Sequence, residues 1–389
     1  MQIKLPIKYL IIKVIQIIFS TKKEQYNEFN KSKINKILII RLDEIGDVVM
    51  TTPFIRELRR NFPKANITLI VKSQTFNLIE LCPYVDEILT FNRYSGRFSF
   101  FINIFKAHSF SKKNLQKEQF DLCIIPRWDT DVYGASYLAY FSKAKHRVAY
   151  SECVSITKSV ENKGFDGFFT DVITKTEHLH EVERNLDVLR FLNMSVVSNE
   201  LEIWDDKGIS NVLNKENTKT LKFVIVTSTS SEFKEWNINN YIDIINKMAR
   251  IVVVDVILLG SGERAQRQAK ILEKNCCIRC NLVNKTTLRE TLTILKQSDL
   301  YLGGDTGPTH IAAVAGLMGI ALYADNYNEN NYGYNCPERF GPWKSNIKVI
   351  CPKKGKYGIN QITVQEVYKE LEMLLKEEII GGSFYDSNS

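Results

Sequence analysis

The strongest constraint on the fold is a regular alternation of short apolar segments with longer amphipathic ones. From residue 35 the chain runs through KILIIRL, GDVVMTTPFIRELRRNF, ITLIV, TFNLIEL and DEILTF. The alternation restarts at KFVIVT (222–227) and continues through IVVVDVILLG and DLYLGG. Short apolar strands that alternate with amphipathic helices are typical of parallel sheets with helices on both faces. The sequence therefore predicts an α/β protein with two open parallel sheets, one in each half.

The predicted domain boundaries follow from composition. A length of 389 residues suits about two domains. Between the two alternating halves, DDKGISNVLNKENTKT (205–220) is polar and contains several turn formers, which favours a linker. We predict a basic apolar extension at residues 1–34, followed by α/β domains at residues 35–205 and 218–352. A C-terminal helix at residues 353–380 and a disordered tail at residues 381–389 complete the chain.

The charge balance narrows the class of partner. Lysine and arginine outnumber aspartate and glutamate by 52 to 44, which gives a net charge of +8. This moderate excess suits anionic ligands, such as nucleotides or phosphorylated lipids, or an anionic membrane surface. It falls short of the dense basic stripe typical of nucleic-acid-binding proteins, so we predict no nucleic-acid partner.

Two segments have features of amphiphilic contact, and each leaves two interpretations open. MQIKLPIKYLIIKVIQIIFS (1–20) is rich in isoleucine, but Lys4, Lys8 and Lys13 interrupt the apolar run that a membrane-spanning helix needs. It is either a basic helix in the membrane interface or a helix packed on the first domain. The segment 97–118 mixes phenylalanine with lysine. It is either a surface helix with a buried aromatic face or a loop that meets an amphiphilic acceptor or a membrane.

The eight cysteines are scattered. Since no small-residue cleavage site follows the N-terminal apolar run, we predict reduced, mostly buried thiols in a cytoplasmic protein. Cys276, Cys277 and Cys280 are clustered but lack the second paired ligand group of a zinc site. We predict no metal site and leave the role of these three residues open.

The most specific functional signal is LYLGGDTGPTHIAAVAG, in which an apolar strand ends and a helix begins. In an open parallel sheet, ligands bind beyond the carboxyl ends of the strands. Thr306 can cap the helix and Pro308 suits its first turn. The free amides of that turn favour phosphate. The segment matches neither a Walker A loop nor the dinucleotide-binding glycine fingerprint.

The residues before this helix start suit a sugar. Gly303 and Gly304 would let a ligand approach the backbone closely. A phosphate would repel Asp305, which more readily accepts hydrogen bonds from sugar hydroxyls. We therefore predict a site for a sugar joined to a phosphate. A capped helix after a tight turn, with no ligand, remains the alternative.

Two further turns follow predicted strands. In RLDEIGDVVMTTP, the carboxylates of Asp43, Glu44 and Asp47 lie where one of them can act as a general base on an acceptor hydroxyl. The alternative is that these acids only stabilise a helix N-terminus. In TSTSSEFKEWNINNY, hydroxyls precede a lysine that suits a diphosphate, and Trp236 either belongs to the core or shields the site.

Taken together, these segments resemble glycosyltransferase family 9, the heptosyltransferase family of lipopolysaccharide assembly. The matching pieces occur in the same order and at the same spacing over roughly residues 35–350: ILIIRLDEIGDVVMTTPFIREL, HEVERNLDVLRFL, TSTSSEFKEWNINNY and GGDTGPTHIAAVAG. PRWDTDVYGASYLAYFSKAKHRVAYSE and CPERFGPW resemble a subset of the family outside the best-known heptosyltransferases.

The resemblance implies a GT-B fold, with two Rossmann-like doubly wound domains facing a cleft, the acceptor on the first and the nucleotide-sugar on the second. It implies an inverting transfer that uses neither a metal nor another cofactor. By family default, heptose moves from ADP-heptose to a hydroxyl of a lipopolysaccharide or related glycolipid acceptor. Such an enzyme would be cytoplasmic, with peripheral contact to the inner membrane as an option.

The resemblance also implies residue roles. Asp47 matches the catalytic base, Lys234 a contact to the donor phosphates and Asp305 a contact to the donor sugar. The predicted donor-binding residues are Thr229, Ser230, Lys234, Glu263, Asp305, Thr306, Gly307 and His310.

Other functions stay open on the sequence. A nucleotide-sugar epimerase of the same architecture would need no acceptor surface. A non-catalytic nucleotide-sugar-binding or assembly protein would be free to lose Asp47, Lys234 and Asp305. A nicotinamide oxidoreductase is disfavoured because the dinucleotide fingerprint is missing.

Overall fold

The structure, a computed structural model, describes residues 5–19, 29–205, 220–325, 336–353 and 358–380. The chain divides into two compact units, residues 1–200 and residues 201–389. Most of the predicted linker and the whole predicted tail lie outside the described residues. None of the described helices combines the length and hydropathy that crossing a membrane requires.

The first unit alternates helices and strands as the sequence predicts. In chain order its elements are α1 (Leu5–Ile18), β1 (Lys36–Arg41), α2 (Ile45–Asn61), β2 (Asn66–Val71), α3 (Ser73–Ile79), β3 (Glu87–Thr90), α4 (Ser99–Asn114), β4 (Leu122–Ile125), α5 (Ala135–Ser142), β5 (His146–Tyr150), α6 (Ile156–Glu161), β6 (Asp171–Ile173) and α7 (Glu181–Phe191).

The strands of this unit form one parallel sheet in the order β3-β2-β1-β4-β5-β6. β1 pairs with β2 on one side and with β4 on the other, with Ile39 opposite Leu69 and Ile124. This order is that of a doubly wound Rossmann-like sheet, in which the order of the strands reverses between β1 and β4. Ligands of such sheets bind at the carboxyl ends of the strands at this switch point.

The second unit repeats the arrangement. Its elements are β7 (Leu221–Val226), α8 (Ile238–Met248), β8 (Val254–Leu258), α9 (Gly262–Asn275), β9 (Cys280–Asn281), α10 (Leu288–Lys296), β10 (Leu300–Gly304), α11 (Gly307–Val314), β11 (Met318–Leu322), α12 (Pro337–Phe340), β12 (Ile347–Ile350) and α13 (Val364–Ile380). The described strands form a parallel sheet in the order β12-β11-β10-β7-β8-β9, so the switch point lies between β10 and β7. Two Rossmann-like units confirm the predicted fold class for each half of the chain.

Each sheet is buried on both faces, as its apolar strands predict. Phe223, Ile225 and Leu302 belong to the core of the second unit, where Trp236 packs with 2% of its surface exposed and donates from Nε1 to the Ile362 carbonyl at 2.9 Å. The core interpretation of Trp236 is therefore correct. Val182, Leu186 and Leu189 of α7 and the following Leu192 are also buried, whereas Phe191 is exposed.

The N-terminal segment forms α1, which packs on the first unit through Ile12 and Ile15. The segment 97–118 contains α4, so its helical interpretation is confirmed. The prediction that its aromatic face is buried is wrong, because Phe101 and Phe105 are exposed, whereas Phe110 packs edge-on against Phe91.

The cysteines differ from the prediction. All eight are free thiols, but only Cys82, Cys123 and Cys336 are buried, so the prediction that most thiols are buried is wrong. Cys277 is exposed, because it lies in the turn between α9 and β9. Within the described part of the chain, no three His, Cys, Asp or Glu side chains are grouped as a metal site would need.

Candidate functional site

The switch point of the first unit gathers charged residues from three elements. Asp43 and Asp47 follow β1, and Arg127 and Asp129 follow β4, its neighbour in the sheet. The carboxyl ends of β1 and β4 meet at this edge because the two strands run parallel. Glu181 joins them from the first turn of α7.

Asp47 lies in the first turn of α2. Its Oδ2 accepts a hydrogen bond from the Glu44 backbone amide at 3.3 Å. Its Oδ1 lies 3.7 Å from the Arg41 guanidinium, and its side chain is 21% exposed. Asp47 therefore has the helix-capping role that the sequence left as an alternative, and it also keeps one carboxylate oxygen beside a buried cation.

The surroundings of Asp47 favour a proton. Burial has the largest effect and raises the pKa of the carboxyl. The charge of Arg41 lowers this pKa, and the charges of Glu181 and Asp129 raise it further. The net result is a raised pKa of about 6 for the Asp47 carboxyl. A carboxylate with a pKa near neutrality is a stronger base than a surface aspartate and is still mostly ionised at neutral pH, which suits general base catalysis.

The other two acids of this turn have partners of their own. The Asp43 carboxylate is buried between Arg41, 3.3 Å away, and Arg127, which donates to it. Glu44 accepts hydrogen bonds from Lys72 and from the Tyr133 hydroxyl, at 2.5 and 2.9 Å. Burial would raise the pKa of Glu44, but these two bonds outweigh it and lower that pKa. Of the three acids, Asp47 is thus the one poised as a base.

The segment PRWDTD contributes differently at its two acids. The Asp131 carboxylate accepts hydrogen bonds from the backbone amides of residues 133–136, so it is committed to the turn that begins α5. Asp129 remains near Asp47 and, with Arg127 and Lys158, lines a small cavity. Asp129 and Asp131 therefore do not act as a unit.

Sequence reasoning missed the residues that tune Asp47. Arg41 ends an apolar run and is followed closely by two acids, and this pattern was the signal available in the sequence. Glu181 had no comparable signal, since 134 residues separate it from Asp47 in the chain. It reaches the site because α7 packs on α2, where the Asn185 side chain donates to the Met50 carbonyl at 3.0 Å.

The switch point of the second unit brings together two predicted donor residues. Lys234 follows β7 and Asp305 follows β10, its parallel neighbour. The Lys234 ammonium donates to the Asp305 carboxylate at 2.6 Å, and both side chains are largely buried. Asp325, after β11, lies close enough to both for their charges to act on it.

The two glycines before Asp305 serve packing. A Cβ on Gly304 would lie 2.8 Å from the Thr229 Cγ2, and a Cβ on Gly303 would lie 2.2 Å from the Tyr301 hydroxyl. Both glycines are buried in β10. The prediction that they open the backbone to a ligand is therefore wrong: protein side chains occupy that space. Gly304 instead lets the loop with Thr229 lie against β10.

The helix start after β10 has the predicted position. Thr306 is the N-cap residue of α11, with Gly307 and Pro308 in its first turn. The prediction that the Thr306 side chain caps the helix is wrong, because its hydroxyl makes no capping hydrogen bond. Pro308 has no amide and the Thr309 amide donates to the Thr306 carbonyl at 3.1 Å, so the Gly307 amide and the positive end of the helix dipole are what this turn offers an anion. His310 lies one turn further along and is buried.

The remaining predicted donor residues are less tightly placed. The Thr229 hydroxyl donates to the Ser231 carbonyl at 2.7 Å, and Ser230 is exposed in the same loop. Glu263 stands in the first turn of α9 with its side chain 94% exposed, and it contacts Arg267 of its own helix at 3.7 Å. The structure therefore gives Glu263 no contact with the Lys234–Asp305 pair.

Two acids in the second unit were missed. Asp325 follows the apolar run IALYA, so an acid directly after a predicted strand was the available signal. Glu235 accepts hydrogen bonds from the Thr229 amide, Arg264 and Gln268, at 3.0, 3.2 and 2.9 Å. It holds the loop after β7 against α9, a role that only the fold reveals.

Comparison with known proteins identifies relatives over most of the chain. The family model for glycosyltransferase family 9 (heptosyltransferase) matches residues 110–364. The lipopolysaccharide core heptosyltransferase OpsX of Haemophilus influenzae is 24% identical over 358 residues, covering 87% of this chain and 96% of that protein.

Solved structures agree in fold. A glycosyltransferase family 9 protein from Veillonella parvula superposes with a TM-score of 0.69 at 19% identity, covering 88% of this chain and 97% of that one. The ADP-heptose LPS heptosyltransferase II of Escherichia coli superposes with a TM-score of 0.65 at 19% identity, covering 88% and 99%. Because the family model matches more than half of the sequence, this chain belongs to glycosyltransferase family 9, the heptosyltransferase family, and is a glycosyltransferase.

Proposed function

We propose that this glycosyltransferase moves a sugar from a nucleotide-diphosphate donor to a hydroxyl of a lipopolysaccharide or related cell-surface glycan. The transfer inverts the configuration at the anomeric carbon and needs no metal ion. The observation that carries the proposal is the Asp47 carboxylate, held at the first switch point with a pKa of about 6. The Lys234–Asp305 pair and the start of α11, at the second switch point, support it as groups that suit a sugar joined to a phosphate.

In the proposed reaction, Asp47 takes the proton from the acceptor hydroxyl as that oxygen attacks the anomeric carbon. The bond from that carbon to the donor diphosphate breaks on the opposite face, and the diphosphate leaves with the bonding electron pair. Oδ1 of Asp47, 3.7 Å from the Arg41 guanidinium, accepts the proton, since Oδ2 is held by the Glu44 amide. A positioned general base of this kind contributes typically about 10²- to 10⁴-fold in rate.

The leaving diphosphate gains negative charge, and the second unit carries fixed positive groups for it. Lys234 supplies an ammonium, and the start of α11 supplies the Gly307 amide with the positive end of a helix dipole. Such groups stabilise developing charge without reorganising, and they provide what a metal ion provides elsewhere. Asp305 holds Lys234 in place and accepts from donor-sugar hydroxyls in this proposal.

The donor-binding set is proposed as Thr229, Ser230, Lys234, Glu263, Asp305, Thr306, Gly307 and His310. His310 is buried and supports the first turns of α11. Glu263 is exposed at the start of α9 and is proposed to bind the nucleoside ribose of a donor that extends to that helix. The domains proposed for acceptor and donor are residues 35–205 and 218–352. ADP-heptose is the proposed donor because the Escherichia coli neighbour is named for it. The proposed location is the cytoplasm, with peripheral contact to the inner membrane as an option.

Calorimetric titration with a panel of nucleotide-sugars and ADP, without metal, tests the donor assignment. We expect one donor to bind tightly, and Lys234→Met and Asp305→Asn to weaken it. The ion pair Lys296–Asp205, at 2.8 Å in the same unit, provides the control, so Lys296→Met should bind donor normally. No binding across the panel by the folded protein would contradict the proposal.

Product analysis tests the chemistry. Incubation of the bound donor with acceptor glycan and a chelator should give a glycoside whose anomeric configuration, read by NMR, is opposite to that of the donor. Conversion of the donor sugar to its epimer without acceptor would instead favour an epimerase. Donor binding with no conversion under any condition would favour a non-catalytic binding protein.

A further inference from the structure

The N-terminal helix α1 carries apolar side chains on its outward side as well as on the side that packs on the unit. Its outward face consists of aliphatic side chains, with Ile17 75% exposed and Leu10 63% exposed. We call this set the apolar face of α1; it comprises Ile7, Leu10, Val14, Ile17 and Ile18, which recur at the spacing of one helical side. A surface helix normally turns such a stripe toward the core.

The inward face of α1 fixes this orientation with polar bonds. Lys8 donates to the Glu161 carbonyl, and the Gln16 side chain donates to the Gly164 carbonyl at 2.7 Å. The Tyr140 hydroxyl donates to the Gln16 carbonyl at 3.0 Å. Together with buried Ile12, these bonds set the rotation of the helix about its axis. The apolar face therefore points away from the unit by construction.

Two helices that contact α1 also expose apolar side chains. At the C-terminal end of α1, Phe19 packs on His108 of α4, with ring centroids 5.0 Å apart. Phe101 and Phe105 lie on the same side of α4 as His108, and Phe105 is 74% exposed. Near the N-terminal end of α1, α6 exposes Ile156 and Val160, and its Glu161 pairs with Lys8. We call the exposed apolar side chains of α1, α4 and α6 together the docking surface.

The charged side chains of α1 and α4, the two longest helices of the docking surface, are all positive. Neither α1 nor α4 contains aspartate or glutamate. Lys13 flanks the apolar face of α1, where it lies over the Tyr9 ring at 5.5 Å, and Lys112 and Lys113 are exposed at the end of α4. An apolar face bordered by lysines is the pattern of helices that lie in the interface of anionic bilayers.

We propose that the docking surface of α1, α4 and α6 seats the first unit on an anionic phospholipid bilayer. The aliphatic and phenylalanine side chains enter the boundary between headgroups and acyl chains, and the lysines pair with lipid phosphates. Exposed apolar area of this extent is costly in water and marks an interaction site. The inference deepens the proposed function, on which it rests for one point: a lipid-linked acceptor gives such docking its use.

Vesicle flotation tests the docking surface directly. The full chain is mixed with vesicles of phosphatidylcholine alone or of phosphatidylcholine with phosphatidylglycerol. We expect flotation with the anionic vesicles, weakened by added salt. The double variant Leu10→Glu and Ile17→Glu should lower partitioning by about tenfold or more, because both charges would have to enter the apolar layer. Lys112→Gln with Lys113→Gln should weaken binding to anionic vesicles only.

A matched control separates docking from general surface effects. Val253 lies in the second unit and is 71% exposed, so Val253→Glu makes the same chemical change away from the docking surface. That variant should float like the unmodified protein. Circular dichroism and donor titration should be unchanged in all these variants, since the substituted side chains are exposed.

Three results would overturn the inference. The first is failure of the unmodified protein to float with anionic vesicles, and the second is unchanged flotation of the Leu10→Glu and Ile17→Glu variant. The third is a dimer in sedimentation velocity that this variant dissolves, which would assign the apolar face to a second copy of the chain. A transfer assay on acceptor glycan freed of lipid keeps the two proposals apart. It should be unaffected by the docking variants, and its failure would count against the transfer chemistry alone.

Discussion

The Arg41 guanidinium lies 3.7 Å from the Asp47 carboxylate, and Arg41 is buried while Asp47 is partly exposed. The positive charge of Arg41 favours the ionised carboxylate, whereas the negative charges of Glu181 and Asp129 disfavour it. Burial tips the balance toward the protonated form, so the pKa rises to about 6. The fold thus sets the basicity of Asp47 with residues from β1, the loop after β4 and α7.

The raised pKa predicts the acid side of the pH profile. A base works only when deprotonated, so kcat/KM for the acceptor should be constant above about pH 7. It should fall about tenfold for each pH unit below about pH 6. Initial rates across pH 4.5–8.5 with saturating donor would measure this profile. An activity that is flat down to pH 5 would mean that no group with this pKa takes the proton.

Charge removal around Asp47 should move that profile in opposite directions. Glu181→Gln or Asp129→Asn removes a negative neighbour, so the pKa of Asp47 falls and the acid limb moves to lower pH. Arg41→Gln removes the positive neighbour, so the limb moves to higher pH.

The same pH–rate series on the three variants checks this expectation. Asp129→Asn is the safest of them because its side chain is half-buried, whereas Arg41 and Glu181 are buried. Shifts of equal sign in Asp129→Asn and Arg41→Gln would rule out the electrostatic explanation.

The Lys234–Asp305 pair predicts a specific pattern of donor affinity. Lys234→Met should weaken donor binding by about 10- to 100-fold, the value of one charged hydrogen bond to a phosphate. Asp305→Asn should weaken it less, because the lysine stays. Isothermal calorimetry on both single variants and the double variant measures their coupling. Purely additive losses would show that the two side chains act separately on the donor.

The contact of Gly304 with Thr229 predicts a rescue. Gly304→Ala places a methyl group 2.8 Å from the Thr229 Cγ2, which should lower the free energy of unfolding by about 1–3 kcal/mol. Thr229→Ser removes Cγ2 and keeps the hydroxyl, so the double variant should recover much of that loss. Urea titrations of the two single variants and the double variant decide the matter. Equal destabilisation in Gly304→Ala with and without Thr229→Ser would contradict the proposed clash.

Much of the fold was predictable because the strands are short apolar runs and the helices are amphipathic. Both parallel sheets, and the carboxyl-end positions of Asp47, Lys234 and Asp305, follow from that alternation. Contacts over long chain separations were not predictable. Glu181 near Asp47, Asp325 near Lys234 and the outward apolar face of α1 depend on how elements pack. The role of Gly304 was misjudged because Thr229 becomes its neighbour only in the folded sheet.

Asp47 is the base of the proposed transfer, and Asp47→Asn tests that role most directly. Asparagine can still accept the hydrogen bond from the Glu44 amide, so the start of α2 should survive. The measurement is the rate of transfer at pH 7.5, with donor affinity measured on the same preparation. We predict a rate lower by about 10²- to 10⁴-fold with donor affinity unchanged. A transfer rate within a few fold of the unmodified protein, or an equal loss of donor affinity, would contradict this role.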